Sequence, residues 1–259
     1  MSTQAAADLR SPFDLHGRCA VVTGAGRGLG QAVALGLAQA GADLVLLGRP
    51  GSQDSTRDQV ADLGRDVRIV NLDVSDHDAV QRVGAEVSAT RQVDILVNNA
   101  GIIDRQDSVA VSNESWNRVL DTNLNGLFFL CQQFGRPMAE RGHGKIVSIA
   151  SLLSFQGGLR VASYAASKHG VAGLTKALAN EWGPLGVQVN AVAPGYIVTD
   201  NTTALREDPV RSRSILERIP AGRWGNAADI AGSVVFLSSS AADYVNGHVL
   251  VVDGGWMAR

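Results

Sequence analysis

Short apolar runs alternate with segments of helical spacing from one end of this chain to the other. Ala20–Val22, Leu44–Leu47, Val67–Leu72, Ile95–Val97, Lys145–Ile149, Val187–Val192 and Val249–Val252 read as seven strands. Gly28–Ala40 has helical spacing and stops at Gly41, while Ser112–Phe134 and Ser163–Trp182 read as long helices. Strands joined by helical crossovers must lie parallel and be covered on both faces, so the pattern predicts an α/β fold with one doubly wound, seven-stranded parallel sheet. A composition of 45% hydrophobic but only 5% aromatic residues suits a core of Val, Ala, Leu and Ile. No linker, repeat or low-complexity run divides the chain. We expect a polar, loose tail over residues 1–11 and a single domain over 12–259. The rhythm breaks over residues 195–226, which read as a long irregular lid at the carboxyl edge of the strands.

Several classes of function are disfavoured early. A net charge of −2 gives no basic field for nucleic acid. Residues 1–11 lack the apolar segment of a signal peptide, and no stretch reads as a membrane span. The expectation is a cytoplasmic protein with a small-molecule substrate, and with neither nucleic acid nor membrane as partner. Cys19 and Cys131 read as buried reduced thiols. The histidines (His16, His77, His143, His169 and His248) show no metal-ligand spacing, so no metal is expected.

The turn after the first strand reads Thr23-Gly24-Ala25-Gly26-Arg27-Gly28-Leu29-Gly30. Glycines there let the backbone approach a pyrophosphate, and the helix that follows offers its N-terminal N–H groups. Leu29 stands where the third glycine of G-x-G-x-x-G would fall, so the pattern is carried instead by Gly24, Gly28 and Gly30. Asp73 and Val74 end the third strand, where a carboxylate can accept from an adenine amino group. Asn99, Ala100 and Gly101 follow the fourth strand and leave room for ribose or nicotinamide. The second strand ends at Gly48 and Arg49, without the acid that bonds the ribose of NAD. Arg49 and Arg27 together could clamp a 2′-phosphate, which favours NADP; a solvated loop charge is the plain alternative.

Tyr164 and Lys168 lie four apart and share a helix face. An ammonium near a phenol lowers its pKa and fits it for acid/base work at neutral pH. Ser151 directly follows the fifth strand, where its hydroxyl can polarise a substrate oxygen. Asn123, a polar residue in an apolar helix, needs a partner and could hold a relay water. Arg160 and Arg206 are candidates for a substrate carboxylate, and Gln156 and Tyr196 for hydroxyl groups.

These residues, in this order and spacing over roughly residues 15–255, resemble the short-chain dehydrogenase/reductase family. The resemblance implies a Rossmann-type fold and a tetrad of Asn123, Ser151, Tyr164 and Lys168. It implies further that Lys168 bonds the nicotinamide ribose, and that Pro194, Gly195, Ile197 and Thr199 line the carboxamide end. It also implies a homotetramer. Residues 154–158, 193–196, 218–225 and 252–259 resemble family members that act on deoxy sugar acids such as 2-dehydro-3-deoxy-D-gluconate. Those are generally described with NAD, whereas Arg49 points to NADP, so both cofactors stand. The rivals are a 3-oxoacyl-carrier-protein reductase with the same tetrad and a non-catalytic dinucleotide-binding sensor.

Overall fold

A computed structural model describes residues 11–259. The expected tail therefore lies, Ser11 apart, outside the described residues. The strands and helices run β1 (Cys19–Thr23), α1 (Gly28–Gln39), β2 (Asp43–Gly48), α2 (Asp54–Asp62), β3 (Val67–Asn71), α3 (His77–Thr90), β4 (Ile95–Asn98), α4 (Asn113–Leu120), α5 (Gly126–Glu140), β5 (Gly144–Ile149), α6 (Ala162–Trp182), β6 (Val187–Pro194), α7 (Thr203–Glu207), α8 (Pro209–Arg218), α9 (Ala227–Ser238) and β7 (Val249–Val252). All strand pairs are parallel, in the order β3-β2-β1-β4-β5-β6-β7. The expected seven-stranded doubly wound sheet is therefore the observed one.

Alternate residues of each strand feed two cores, as the two-residue period of a strand demands. Ala20, Val22, Leu44 and Leu46 pack under α1 and α9 with Val33, Leu37, Ile230 and Val234. Val21, Val45, Leu96 and Ile146 face the other way, onto Leu130, Phe134 and Val171 of α5 and α6. Both cysteines are free and buried, as expected, and burial pushes the Cys131 thiol up to about 12.

Chain order reverses between β1 and β4, which sit side by side although other strands and helices separate them in sequence. The crossovers diverge there, and a crevice opens at the carboxyl ends of the strands. Two readings of the sequence need correction. The long helix expected over Ser112–Phe134 is α4 and α5 joined through a π-helical turn at Asp121–Asn125, and α5 continues to Glu140 past Pro137. The segment 195–226 is not irregular: it contains α7 and α8. Asp208 accepts from the N–H groups of Val210 and Arg211, both at 3.0 Å, and Pro209 opens α8. That cap-and-proline start is a legible helix signal that the broken apolar rhythm masked.

The turn after β1 closes tightly at Gly30, where a Cβ would overlap the carbonyl oxygen of Gly24 and the amide of Asn99. Backbone cannot yield as a flexible side chain can, so Gly30→Ala should cost about 1–3 kcal/mol. A chemical denaturation midpoint equal to the unmodified chain's would show that the turn is looser than described.

Candidate active site

Four loops meet above β1, β4, β5 and β6. The first is the glycine turn. Gly24 and Gly28 have φ of +64° and +55°, a left-handed conformation that favours glycine. Thr23 Oγ1 accepts from Asn99 N at 2.9 Å and from Ala100 N at 3.0 Å. Asn99 Nδ2 returns two bonds, to the carbonyls of Thr23 (2.9 Å) and Gly24 (3.1 Å). This clasp joins the ends of β1 and β4. No side chain caps the N-terminus of α1 and no acid lies in its first turn, so its field faces the crevice uncancelled. Leu29 packs onto the core beneath.

The second loop follows β4 and is held by Asn123, 1% exposed on the π-helical turn. Asn123 Oδ1 accepts from Ile102 N and its Nδ2 donates to Ile102 O, both at 2.8 Å, with a third contact to Ser167 Oγ at 3.3 Å. The side chain is thus spent on the backbone of the Asn99–Ile102 loop. The partner that a buried Asn needs is that loop, and not a water held by its amide. Gly101 lies against the Asn123 amide.

The third element carries Ser151, Tyr164 and Lys168. Ser151 lies just past the end of β5 in extended conformation, and its Oγ accepts from Leu153 N at 3.2 Å. Lys168 is 4% exposed on α6, and its Nζ donates to Ile149 O at 2.6 Å and stands 5.5 Å from the Tyr164 ring centre. Burial lowers the lysine to about 8. Tyr164 moves the other way from expectation. Burial raises its phenol above the ordinary value, while a hydrogen bond with Ser151 and the charge of Arg105 pull it down. Lys168 is not among the groups that lower it, because its head is turned to the Ile149 carbonyl. The cation that bears on the phenol is Arg105, which the sequence reading passed over. Its Nη2 donates to Asn201 O at 3.2 Å, linking the loop after β4 to the segment before α7. Its position a few residues past Asn99–Gly101, at a strand's carboxyl end, was the available signal.

The fourth loop follows β6. Gly195 N donates to Val252 O at 2.9 Å, Ile197 is buried and bridges to Gly225, and Thr199 caps the turn at Asp200–Thr202 while lying against Gly28. Pro194 is the last residue of β6. The nicotinamide-end candidates and the glycine turn therefore share one crevice.

Other expected residues separate. Arg27 and Arg49 do not form a joint clamp: Arg27 pairs with Asp200 at 2.6 Å across the crevice mouth. Arg49 instead bears electrostatically on Asp73, whose carboxyl is held low by bonds from the Ser75 hydroxyl and N–H and by Arg49. Val74 is buried, and its carbonyl seats Gly126. Arg160, at φ +63°, pairs with exposed Asp107 at 3.0 Å. Arg206 bonds Thr203 in its own helix at 3.2 Å. Gln156 points to Met257, with Nε2 3.1 Å from the sulfur. Tyr196 packs edge-on against Trp224 and tilted against Trp256, and lines a cavity of about 220 Å³ with Ile197, Ile219, Arg223 and Asp253. Arg160 and Arg206, the cations expected for a carboxylate, are thus engaged elsewhere, and the cation that bears on Tyr164 is the unexpected Arg105.

Comparison with known proteins gives a consistent picture. The family described as enoyl-(acyl carrier protein) reductase matches residues 24–257. A 2-dehydro-3-deoxy-D-gluconate 5-dehydrogenase of Bacillus subtilis is 55% identical over 251 residues, 97% of this chain and 99% of that protein. A solved structure of a putative 2-deoxy-D-gluconate 3-dehydrogenase from Agrobacterium tumefaciens, with bound NADP, is 56% identical with a TM-score of 0.92; the match covers 96% of this chain and all of that one (100%). A gluconate 5-dehydrogenase from Burkholderia cenocepacia, in complex with NADP and tartrate, is 40% identical with a TM-score of 0.92, covering 96% of this chain and 98% of that one.

The buried lysine makes a pH prediction. Its folded value of about 8 lies below that of an exposed lysine, about 10.4. Between those values the unfolded chain binds more protons than the folded one, so this group's contribution makes stability rise with pH. Against Lys168→Met, the unmodified chain should gain on the order of 3 kcal/mol across that window. Parallel denaturation midpoints from pH 8 to pH 10.5 would contradict the burial argument.

Proposed function

This chain belongs to the short-chain dehydrogenase/reductase family, and from that we propose that it interconverts a secondary alcohol and a ketone on a deoxy sugar acid of the 2-dehydro-3-deoxy-D-gluconate class, with a nicotinamide dinucleotide. The observation that carries the reading is the buried Tyr164 hydroxyl, bonded to Ser151, under the charge of Arg105 and with Lys168 Nζ 5.5 Å from its ring centre. The B. subtilis relative bears the name of that substrate, and the A. tumefaciens and B. cenocepacia structures hold NADP.

The glycine turn fits a pyrophosphate: Gly30 lets α1 approach the turn closely, and the α1 N-terminus stands uncapped. Gly24, Arg27, Gly28, Leu29 and Gly30 would hold the phosphates, with Asp73 and Val74 beside the adenine. Asn99, Ala100 and Gly101 would take the ribose side, and Pro194, Gly195, Ile197 and Thr199 the carboxamide end. Arg49 favours NADP over NAD. The dinucleotide, when bound, supplies the hydride acceptor or donor.

Within the chain, Ser151 holds the substrate oxygen and Tyr164 exchanges its proton at the phenolic oxygen. In oxidation the phenolate accepts the hydroxyl proton as the adjacent carbon gives up its hydride; reduction reverses both transfers. Lys168, its Nζ held by the Ile149 carbonyl, would bond the nicotinamide ribose, and Asn123 keeps the Asn99–Ile102 loop in register. Arg105 binds the substrate carboxylate and lowers the phenol at once, as a fixed cation beside a developing phenolate does. Residues 195–226, tied to Arg105 through Asn201, cover the site. Gln156, Arg160, Tyr196 and Arg206 shape the lid and its approaches rather than touching the reacting oxygen. The protein works as a cytoplasmic homotetramer, the state implied by its family resemblance.

Two substitutions test this. Tyr164→Phe should lower kcat by roughly 100- to 10,000-fold and leave dinucleotide affinity intact. Arg105→Ala should raise KM for the sugar acid about 10-fold or more, and far less for its neutral methyl ester. Equal effects on acid and ester would remove the carboxylate role, and retained turnover in Tyr164→Phe would remove the mechanism.

A further inference from the structure

The loop after β4 carries a second charged residue, directly before Arg105, that the mechanism above does not use. Asp104 is turned onto α4. Its Oδ2 accepts from Ser115 Oγ, from Gln106 Nε2 at 3.0 Å and from Arg118 Nη2 at 3.0 Å. Gln106 Nε2 also reaches Ser115 Oγ at 3.2 Å, which closes the group. Three donors converging on one oxygen call for an ionised carboxylate, which accepts and does not donate. The Ser115 hydroxyl above all, with Gln106 and Arg118, holds the Asp104 carboxyl below the usual carboxylate range. Ser115 is buried and stands in the first turn of α4, where the helix field also favours negative charge.

Arg105 needs such an anchor beside it. It is exposed, and among the described residues its side chain has one hydrogen bond, to Asn201 O at 3.2 Å. A long cation held so lightly keeps much of its rotamer freedom, so its place must be set by the backbone that bears it. Three ties fix that backbone. Asn123 holds it at Ile102, and Asp104 holds it to α4. Gln106 N donates to Arg160 O at 3.0 Å, just ahead of α6, the helix of Tyr164. The residues on either side of Arg105 are therefore fastened to α4 and to the approach to α6. The ion pair with Arg118 has a second effect: it commits the Asp104 charge to α4, so Arg105 is not neutralised by its own neighbour.

We propose that Asp104 is the positioning residue for Arg105: its carboxylate ties the loop to Ser115 and Arg118, so that the guanidinium is held in place for the carboxylate of the sugar acid. The proposal rests on the carboxylate role given to Arg105 above. Asp104 itself touches neither substrate nor dinucleotide. It acts on specificity by removing freedom from a cation that substrate would otherwise have to order on binding, at a cost in affinity. A neutral substrate makes no use of the cation's position, so loss of the tie should fall selectively on acids. Asparagine keeps an acceptor oxygen for Ser115 but not the charge that pairs with Arg118, so it should retain part of the effect.

The test is a double-mutant cycle in steady-state kinetics, with 2-dehydro-3-deoxy-D-gluconate and its methyl ester as substrates. The proteins are the unmodified chain, Asp104→Ala, Asp104→Asn, Arg105→Ala and the Asp104→Ala/Arg105→Ala double variant, each checked by thermal melting. Asp104→Ala should raise KM for the acid about 3-fold or more, with a smaller change in kcat and little change in KM for the ester. Asp104→Asn should fall between Asp104→Ala and the unmodified chain, and it decides the matter if Asp104→Ala does not fold. The double variant should be no worse on the acid than Arg105→Ala alone, because a positioning residue has nothing left to position. A purely structural role would instead change acid and ester by one common factor and add its full effect to that of Arg105→Ala; either result, or no change in Asp104→Ala, overturns the assignment. If Arg105→Ala is selective for the acid and the Asp104 variants are not, this assignment falls alone. If Arg105→Ala affects acid and ester equally, the carboxylate reading falls with it.

Discussion

The approach of α1 to the ends of β1 and β4 is the contact on which the rest of the site depends. It exists because Gly30 presents only hydrogen to the Gly24 carbonyl and the Asn99 amide. With that gap closed, Asn99 can clasp Thr23 and Gly24, and the clasp fixes the loop that Asn123 then holds from below. Arg105 extends from that loop to the segment before α7. A residue with no side chain thereby sets the position of a cation some 75 residues on, through a chain of side-chain-to-backbone hydrogen bonds rather than through apolar packing.

The second determinant is burial acting in opposite directions on neighbouring groups. Exclusion from water pushes the Tyr164 phenol up and the Lys168 ammonium down to about 8. Both shifts favour the neutral pair, so burial alone would silence the phenol. Ser151 and Arg105 oppose it. In the proposed mechanism that balance places proton exchange under the control of Ser151 and Arg105, so that charge develops where donors are already fixed.

The sheet was legible because parallel strands buried on both faces must be continuous apolar runs, as Leu44–Leu47 is. The glycine turn and the Tyr164/Lys168 pair were legible because local spacing fixes their relation: a turn and one helix face. What failed were relations between distant segments. Nothing local tells that Arg27 meets Asp200, 173 positions away, rather than Arg49, or that Arg105 and not Arg160 bears on the phenol. The lid helices failed for a different reason. With Ile215 as the buried residue of α8, that helix carries little apolar pattern, and only the Asp208-Pro209 start announces it. The π-helical turn at Asp121–Asn125 was invisible because a one-residue change of register leaves apolar spacing nearly unaltered.

The account stands or falls on whether this crevice carries out hydride chemistry on a carboxylated sugar. The most direct measurement is the initial rate at which the unmodified chain forms reduced nicotinamide from 2-dehydro-3-deoxy-D-gluconate, with NADP⁺ and NAD⁺ at matched concentrations. The account predicts turnover, faster with NADP⁺. A protein that binds the dinucleotide but turns over neither this acid nor gluconate, while reducing a 3-oxoacyl thioester, would contradict it.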